Sequence, residues 1–138
     1  MNSVFTWIKL GCASVCGVAA YVFGGFDTIL KILLIMCVID YLTGVSAAIV
    51  HKNLSSKAGF NGILKKIAIL CIVAVAHLLG GTLGLDQIRS AVIGFYIANE
   101  GISIMENAAA LGVKMPKKLI AILKQLKDRE DEENDIQL

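Results

Sequence analysis

The chain has 138 residues, of which 57% are hydrophobic, only 17% charged and 7% aromatic, with a net charge of +2 and a mean hydropathy of +0.74. A soluble domain usually carries about a quarter charged residues, and one of this length could not hide four separate apolar stretches of near-spanning length. The composition excludes a soluble enzyme or binding domain and predicts an all-α integral membrane protein with about four transmembrane helices in one domain.

The first apolar stretch covers residues 10–26 and holds no charge, although Gly11, Gly17, Gly24 and Gly25 interrupt it. It is the shortest of the four; if it lies on the membrane surface, three spans remain. Only Lys9 precedes it and no soluble domain follows, so it reads as a retained segment and not a cleaved signal. The second stretch, residues 28–50, contains Lys31 and Asp40, and the third, residues 67–85, contains His77. The fourth, residues 88–111, begins with Arg89 and carries Asn99, Glu100, Glu106 and Asn107. Between the second and third lie Lys52, Lys57, Lys65 and Lys66, whereas the connection between the third and fourth, GLDQIR, is short and nearly neutral. By the positive-inside rule the lysine-rich segment faces the cytoplasm, so four spans place both termini inside.

Residues 1–113 form the predicted transmembrane domain, and residues 114–138 a cytoplasmic tail. Pro116 suits the first position of a helix over 115–127. Leu119, Ile122, Leu123 and Leu126 share one face of that helix, with lysines elsewhere, as in a basic amphipathic helix beside a bilayer. The acidic end, DREDEENDIQL, reads as unstructured. Cys12, Cys16, Cys37 and Cys71 fall in apolar surroundings without metal-ligand spacing, so they read as small buried hydrophobes, and no metal or other cofactor is expected. No nucleophile elbow, phosphate-binding loop or HExxH occurs, which argues against an enzyme. No basic face is paired with exposed aromatics, which argues against nucleic acid as a partner. The lipid bilayer is the expected surrounding.

Asp40 poses the central question, because an ionised carboxylate at mid-span costs at least about 2.5–3.5 kcal/mol by insertion scales. Thr43, Gly44, Ala47 and Ala48 lie on its side of the helix and make a small-residue packing face. With the third span counted from residue 67, His77 falls at the same depth as Asp40 and Glu100. On the fourth span Asn99, Glu100, Ser103, Glu106 and Asn107 fall within about 120° of one another, a wettable stripe opposite Ile97, Ile104, Met105 and Ala108. Two readings stand side by side. In a monomer the stripe turns inward and is satisfied by Asp40, His77 and Thr43; in an oligomer it lines water.

The ordered set DYLTGVSAAI, KNLSSKAGFNGILKKIAIL and FYIANEGISIMENAAALGVKMPKKL resembles the bacteriophage holins of the toxin-secretion/phage-lysis holin family, over about residues 23–126. The resemblance implies a small protein of the bacterial host's cytoplasmic membrane that forms homo-oligomers and opens a lesion. Endolysin, a functional partner that need not be touched, or a toxin then crosses, and the host cell lyses. Some such proteins also have an inhibitor made from a second start; here the next methionine after Met1 is Met36, inside a span, so no close dual start is visible. The rival classes are a small oligomeric ion or proton channel, for which Asp40, His77 and Glu100 would serve as relay groups, and a membrane scaffold without a pore.

Overall fold

The computed structural model describes residues 2–119, 121, 122 and 125. The described residues form four long helices and no strand: α1 (Asn2–Phe23), α2 (Thr28–Val50), α3 (Ser56–Leu83) and α4 (Gln87–Ala110). Each boundary has a local cause. Asp27 caps α2 by accepting from the Leu30 amide at 3.2 Å, and Ser55 caps α3 by accepting from the Ala58 amide at 3.1 Å. Gly84 ends α3 in the left-handed conformation, with φ of 67°, which glycine adopts without a Cβ penalty. The following turn is so close that a Cβ on Gly80 would stand 2.9 Å from the Leu85 carbonyl oxygen.

The third helix differs from expectation. It starts at Ser56, eleven residues before the apolar run at residue 67, so Lys57, Lys65 and Lys66 are helical and not part of a loop. The apolar run marks where charge stops, whereas the cap at Ser55 marks where the helix begins, and no breaker lies between them. Gly59 and Gly62 in this added section leave room for the Tyr41 ring of α2.

Helices α2, α3 and α4 pack as a bundle in which α3 runs antiparallel to α2 and α4, with α4 seated most closely on α2, parallel to it, and next on α3. Leu30, Leu33, Cys37, Ile69, Val73 and Ile93 form its core, with Phe23, Tyr96 and Ile97 against it. Outside this core the surface is apolar: Ile35, Val38, Leu42, Ile67, Val75, Leu79 and Phe95 all face outward. Such a surface suits lipid and not water. Helix α1 meets the bundle mainly through α3, near its last turn, and the rest of it is exposed.

Among the described residues, α1, α2 and α3 are long and apolar enough to cross a membrane. The expected fourth span does not join them on that measure. At 24 residues α4 has the length, but Arg89, Glu100 and Glu106 lower its apolarity. The first segment, expected to be the weakest, qualifies because its helix reaches back to Asn2. Of the expected amphipathic helix over 115–127, residues 117–119, 121, 122 and 125 are helical, with the Leu119 amide donating to the Pro116 carbonyl at 2.9 Å; its remaining positions after 119 and the acidic end lie outside the described residues.

Candidate functional site

The site begins as a matter of helical counting. Asp40 lies ten residues before the end of α2, Lys66 ten residues after the start of α3, and Glu100 ten residues before the end of α4. At 1.5 Å per residue each is about 15 Å from the end of the bundle that carries the α2–α3 turn, its inner end below, the α1–α2 turn marking the outer end. Antiparallel packing brings the three to one level, and the Lys66 ammonium bridges the carboxylates of Asp40 and Glu100. Asp40 is only 9% exposed and Glu100 only 5%, so this is a buried ion cluster.

Polar neighbours complete it. Asn107 Nδ2 donates to Asp40 Oδ1 at 3.1 Å, to the Asp40 carbonyl oxygen at 3.3 Å and to Thr43 Oγ1 at 3.1 Å. Thr43 in turn donates to the carbonyls of Ile39 at 2.9 Å and Asp40 at 3.1 Å. Gly44 faces the same amide, and a Cβ there would stand 3.4 Å from Asn107 Nδ2. No buried side-chain nitrogen or oxygen among the described residues lacks a hydrogen-bond partner. With both carboxylates and the lysine ionised the cluster carries one net negative charge, held at low dielectric.

The stripe on α4 divides. Glu100 and Asn107 turn into the cluster, while Asn99, Ser103 and Glu106, with Lys65, line a groove of about 430 Å³ between α3 and α4. A second groove of about 270 Å³, sharing Lys65 and Ser103 with the first, runs along Asp40, Gly44 and Ala48 against Gly59 and Gly62. Ala47 is buried, so the small-residue face of α2 packs within the chain.

His77 is not at this level. It lies six residues from the end of α3, and its ring sits beside Gly24 and Arg89 at the outer end of the bundle. The expectation that placed it with Asp40 and Glu100 counted the third span from residue 67; the true start at Ser56 moves the middle of the helix back to Ile69 and Leu70 and brings Lys66 to the level of the two carboxylates. Lys66 was missed because it read as a loop charge that fixes orientation. Counting equal distances from the α2–α3 turn finds it.

Arg89 is a second feature that spacing alone did not reveal. It is buried at the start of α4 and clamps the α1–α2 turn. Its Nε donates to the Phe23 carbonyl at 2.6 Å and its Nη2 to the Gly25 carbonyl at 3.2 Å, while Nη1 and Nη2 hold the two Asp27 oxygens at 2.8 and 3.0 Å. Hydrogen bonding from Arg89 holds the Asp27 carboxyl below the usual carboxylate range. A depressed folded value means that this pair stabilises above the ordinary carboxylate pKa and is lost as pH falls through the folded one. Acidifying the outer medium below about pH 4 is therefore expected to increase protease cleavage between Phe23 and Thr28, an increase that Asp27→Asn abolishes. Arg89→Gln should cost about 1.5–3 kcal/mol at neutral pH, read as thermal unfolding in detergent. At the inner end His51 Nε2 lies 3.0 Å from the Ala110 carbonyl and ties the α2–α3 turn to the end of α4.

Comparison with known proteins places this geometry in a family. The bacteriophage holin family model matches residues 17–128. The uncharacterized protein Lin0175 of Listeria innocua is 44% identical over 132 residues, covering 93% of this chain and 94% of that protein. An uncharacterized 14.9 kDa protein of Clostridium perfringens is 43% identical over 131 residues, covering 94% and 99%. A protein of Bacillus phage phi105 named a probable holin is 34% identical over 120 residues, covering 84% and 88%. No solved structure matches. The match spans α2, α3 and α4 and hence every residue of the buried cluster, and on it the chain belongs to the bacteriophage holin family.

Proposed function

We propose that the chain is a holin that accumulates in the bacterial cytoplasmic membrane, assembles with further copies, and opens a lesion through which endolysin or a toxin crosses. The observation that carries this reading is the ion cluster of Asp40, Lys66 and Glu100, buried halfway along a bundle whose outer surface is apolar. In this reading α4 crosses the membrane with α2, because Arg89 and Glu100 are buried in protein and Glu106 lies four residues from the helix end, within reach of the headgroups. The chain thus keeps Glu100 and Asn107 turned inward while monomeric, with Asn99, Ser103 and Glu106 on the groove beside them. Assembly gives this α4 face other copies and then water to meet, and Asn99, Glu100, Ser103, Glu106 and Asn107 line the opening. Asp40, Thr43, Gly44, Ala47 and Ala48 hold α2 to α4 throughout.

Induced expression with and without a cytoplasmic endolysin tests this. Release of a folded cytoplasmic reporter, with turbidity falling only when endolysin is present, is the expected result. Ion current or proton leak without reporter release would favour a channel, which the Lys66-bridged carboxylates could also support as a proton path. Neither would leave a scaffold.

Orientation is part of the proposal. Lys52 and Lys57 near the α2–α3 turn and the lysines after residue 113 support an orientation with both termini in the cytoplasm. A reporter fused after Asn53 or Leu138 is expected to be cytoplasmic and one after Asp86 external; an external signal after Asn53 would reverse the assignment.

A further inference from the structure

The crevice between α2 and α3 stays open although small residues face each other across it. These two helices approach least of the three pairs in the bundle, with Gly44 and Ala48 on α2 and Ala58, Gly59 and Gly62 on α3 along the gap. Tyr41 props them apart. A Cβ on Gly62 would stand 3.4 Å from its ring and one on Gly59 3.5 Å from its hydroxyl, so the ring lies along the crevice with its hydroxyl toward the inner end. Leu54, in the α2–α3 turn, and Ala58 line the mouth, and Asp40, Lys66 and Asn107 the floor. The crevice therefore runs about 15 Å from the inner end of the bundle to the ion cluster.

The lining indicates what fills it. Among the described residues nothing hydrogen-bonds the Tyr41 hydroxyl, and no buried side-chain oxygen is left unpaired, so this oxygen is open to solvent. The Lys66 and Asp40 side chains are 18% and 12% exposed against 6% for Glu100, so one edge of the cluster is reached while the other carboxylate is sealed. Acyl chains in the crevice would leave a phenol and the edge of an ion pair without partners, whereas water satisfies both. Outward of the cluster the bundle is dry: Leu30, Leu33, Val73 and Ile93 are at most 1% exposed. From Asp40 to Leu30 this apolar section is about 15 Å thick.

We infer that the resting chain holds a water-filled crevice, open to the cytoplasm and ending at the ion cluster, and that the collar of Leu30, Leu33, Val73 and Ile93 is the barrier that remains. The cytoplasmic opening rests on the orientation proposed above. About half of a hydrocarbon core about 30 Å thick is thus hydrated before any assembly, and the collar is what must part.

Sided thiol labelling tests it in resting membranes, before any lysis, in a background lacking the four native cysteines. Val45→Cys stands in the crevice wall, and Ser46→Cys lies at nearly the same depth outside it. A permanently charged thiosulfonate applied to inverted vesicles is expected to modify Val45→Cys at least about tenfold faster than Ser46→Cys, because water and not lipid supports the reactive thiolate. Applied outside intact cells it should modify neither. Cys37, in the core between cluster and collar, should stay unmodified from either side when kept as the sole cysteine. Equal protection of Val45→Cys and Ser46→Cys would show lipid or another copy in the crevice and overturn the inference, leaving the proposed function standing. Rapid modification of Cys37 from inside would overturn the collar. Modification of Val45→Cys from outside alone would overturn the cytoplasmic opening together with the orientation. A chain that labels as expected but never releases the folded reporter would keep the crevice and refute the holin reading.

Discussion

Lys66→Met is expected to be the most damaging single substitution in the bundle, lowering stability by about 3–5 kcal/mol. Among the described residues, Lys66 is the one cation that bridges two buried carboxylates. Methionine preserves length and apolar volume, so packing changes little, but the cluster goes from one net negative charge to two with nothing to separate them. The expected result is a protein that inserts poorly or fails to accumulate, measured by quantitative immunoblot of washed membranes. A control separates charge from shape: Lys66→Met combined with Asp40→Asn and Glu100→Gln leaves an uncharged, hydrogen-bonding site and should restore accumulation. Parent-level accumulation of Lys66→Met alone would show that the cluster does not hold the bundle.

Glu100→Gln is expected to do the reverse, leaving accumulation intact and delaying permeabilisation. Without the Glu100 charge, Asp40 and Lys66 form a neutral pair, still supported by Asn107 and Thr43. The closed bundle then loses an uncompensated buried charge and becomes no less stable. Opening loses part of its drive, because a glutamate that reaches water gains far more solvation than a glutamine. A change of only about 1.4 kcal/mol shifts the closed–open equilibrium tenfold. The onset of reporter release should therefore come much later at equal protein level. Asp40→Leu should fail differently, since it removes the acceptor of Asn107 and strips the α2–α4 contact. If both variants lost accumulation alike, the division between holding and opening residues would be wrong.

The two substitutions also show what the sequence could and could not reveal. Asp40 was legible as turned away from lipid, because a charge in an apolar run has few places to go, whereas the sequence left Glu100 open between turning inward and lining water. Thr43, Gly44 and Ala47 were legible as a packing face from their helical spacing, and the structure sets them against α4 of the same chain. The α2 bounds were readable, since Asp27 caps the start and charge resumes at the end. Lys66 was not readable as a partner, because charge ends an apolar run long before it ends a helix. The same error put His77 at mid-depth. The Arg89 clamp was hidden for another reason: two of its acceptors are backbone carbonyls, which no side-chain pattern marks. That α1 stands away from the bundle is a tertiary fact with no local signal.

The proposed opening requires that the groove face of α4, set beside α3 in the resting chain, meets water when the membrane fails. Single cysteines at Ser103, on the groove, and at Ile104, beside it on the other side of the helix, test this in a background lacking the four native thiols. Intact cells are labelled with a membrane-impermeant aqueous thiol reagent before and at the onset of lysis. The account predicts that labelling at Ser103 rises sharply at onset while Ile104 stays protected. Equal protection of both positions through complete release of the folded reporter would contradict it.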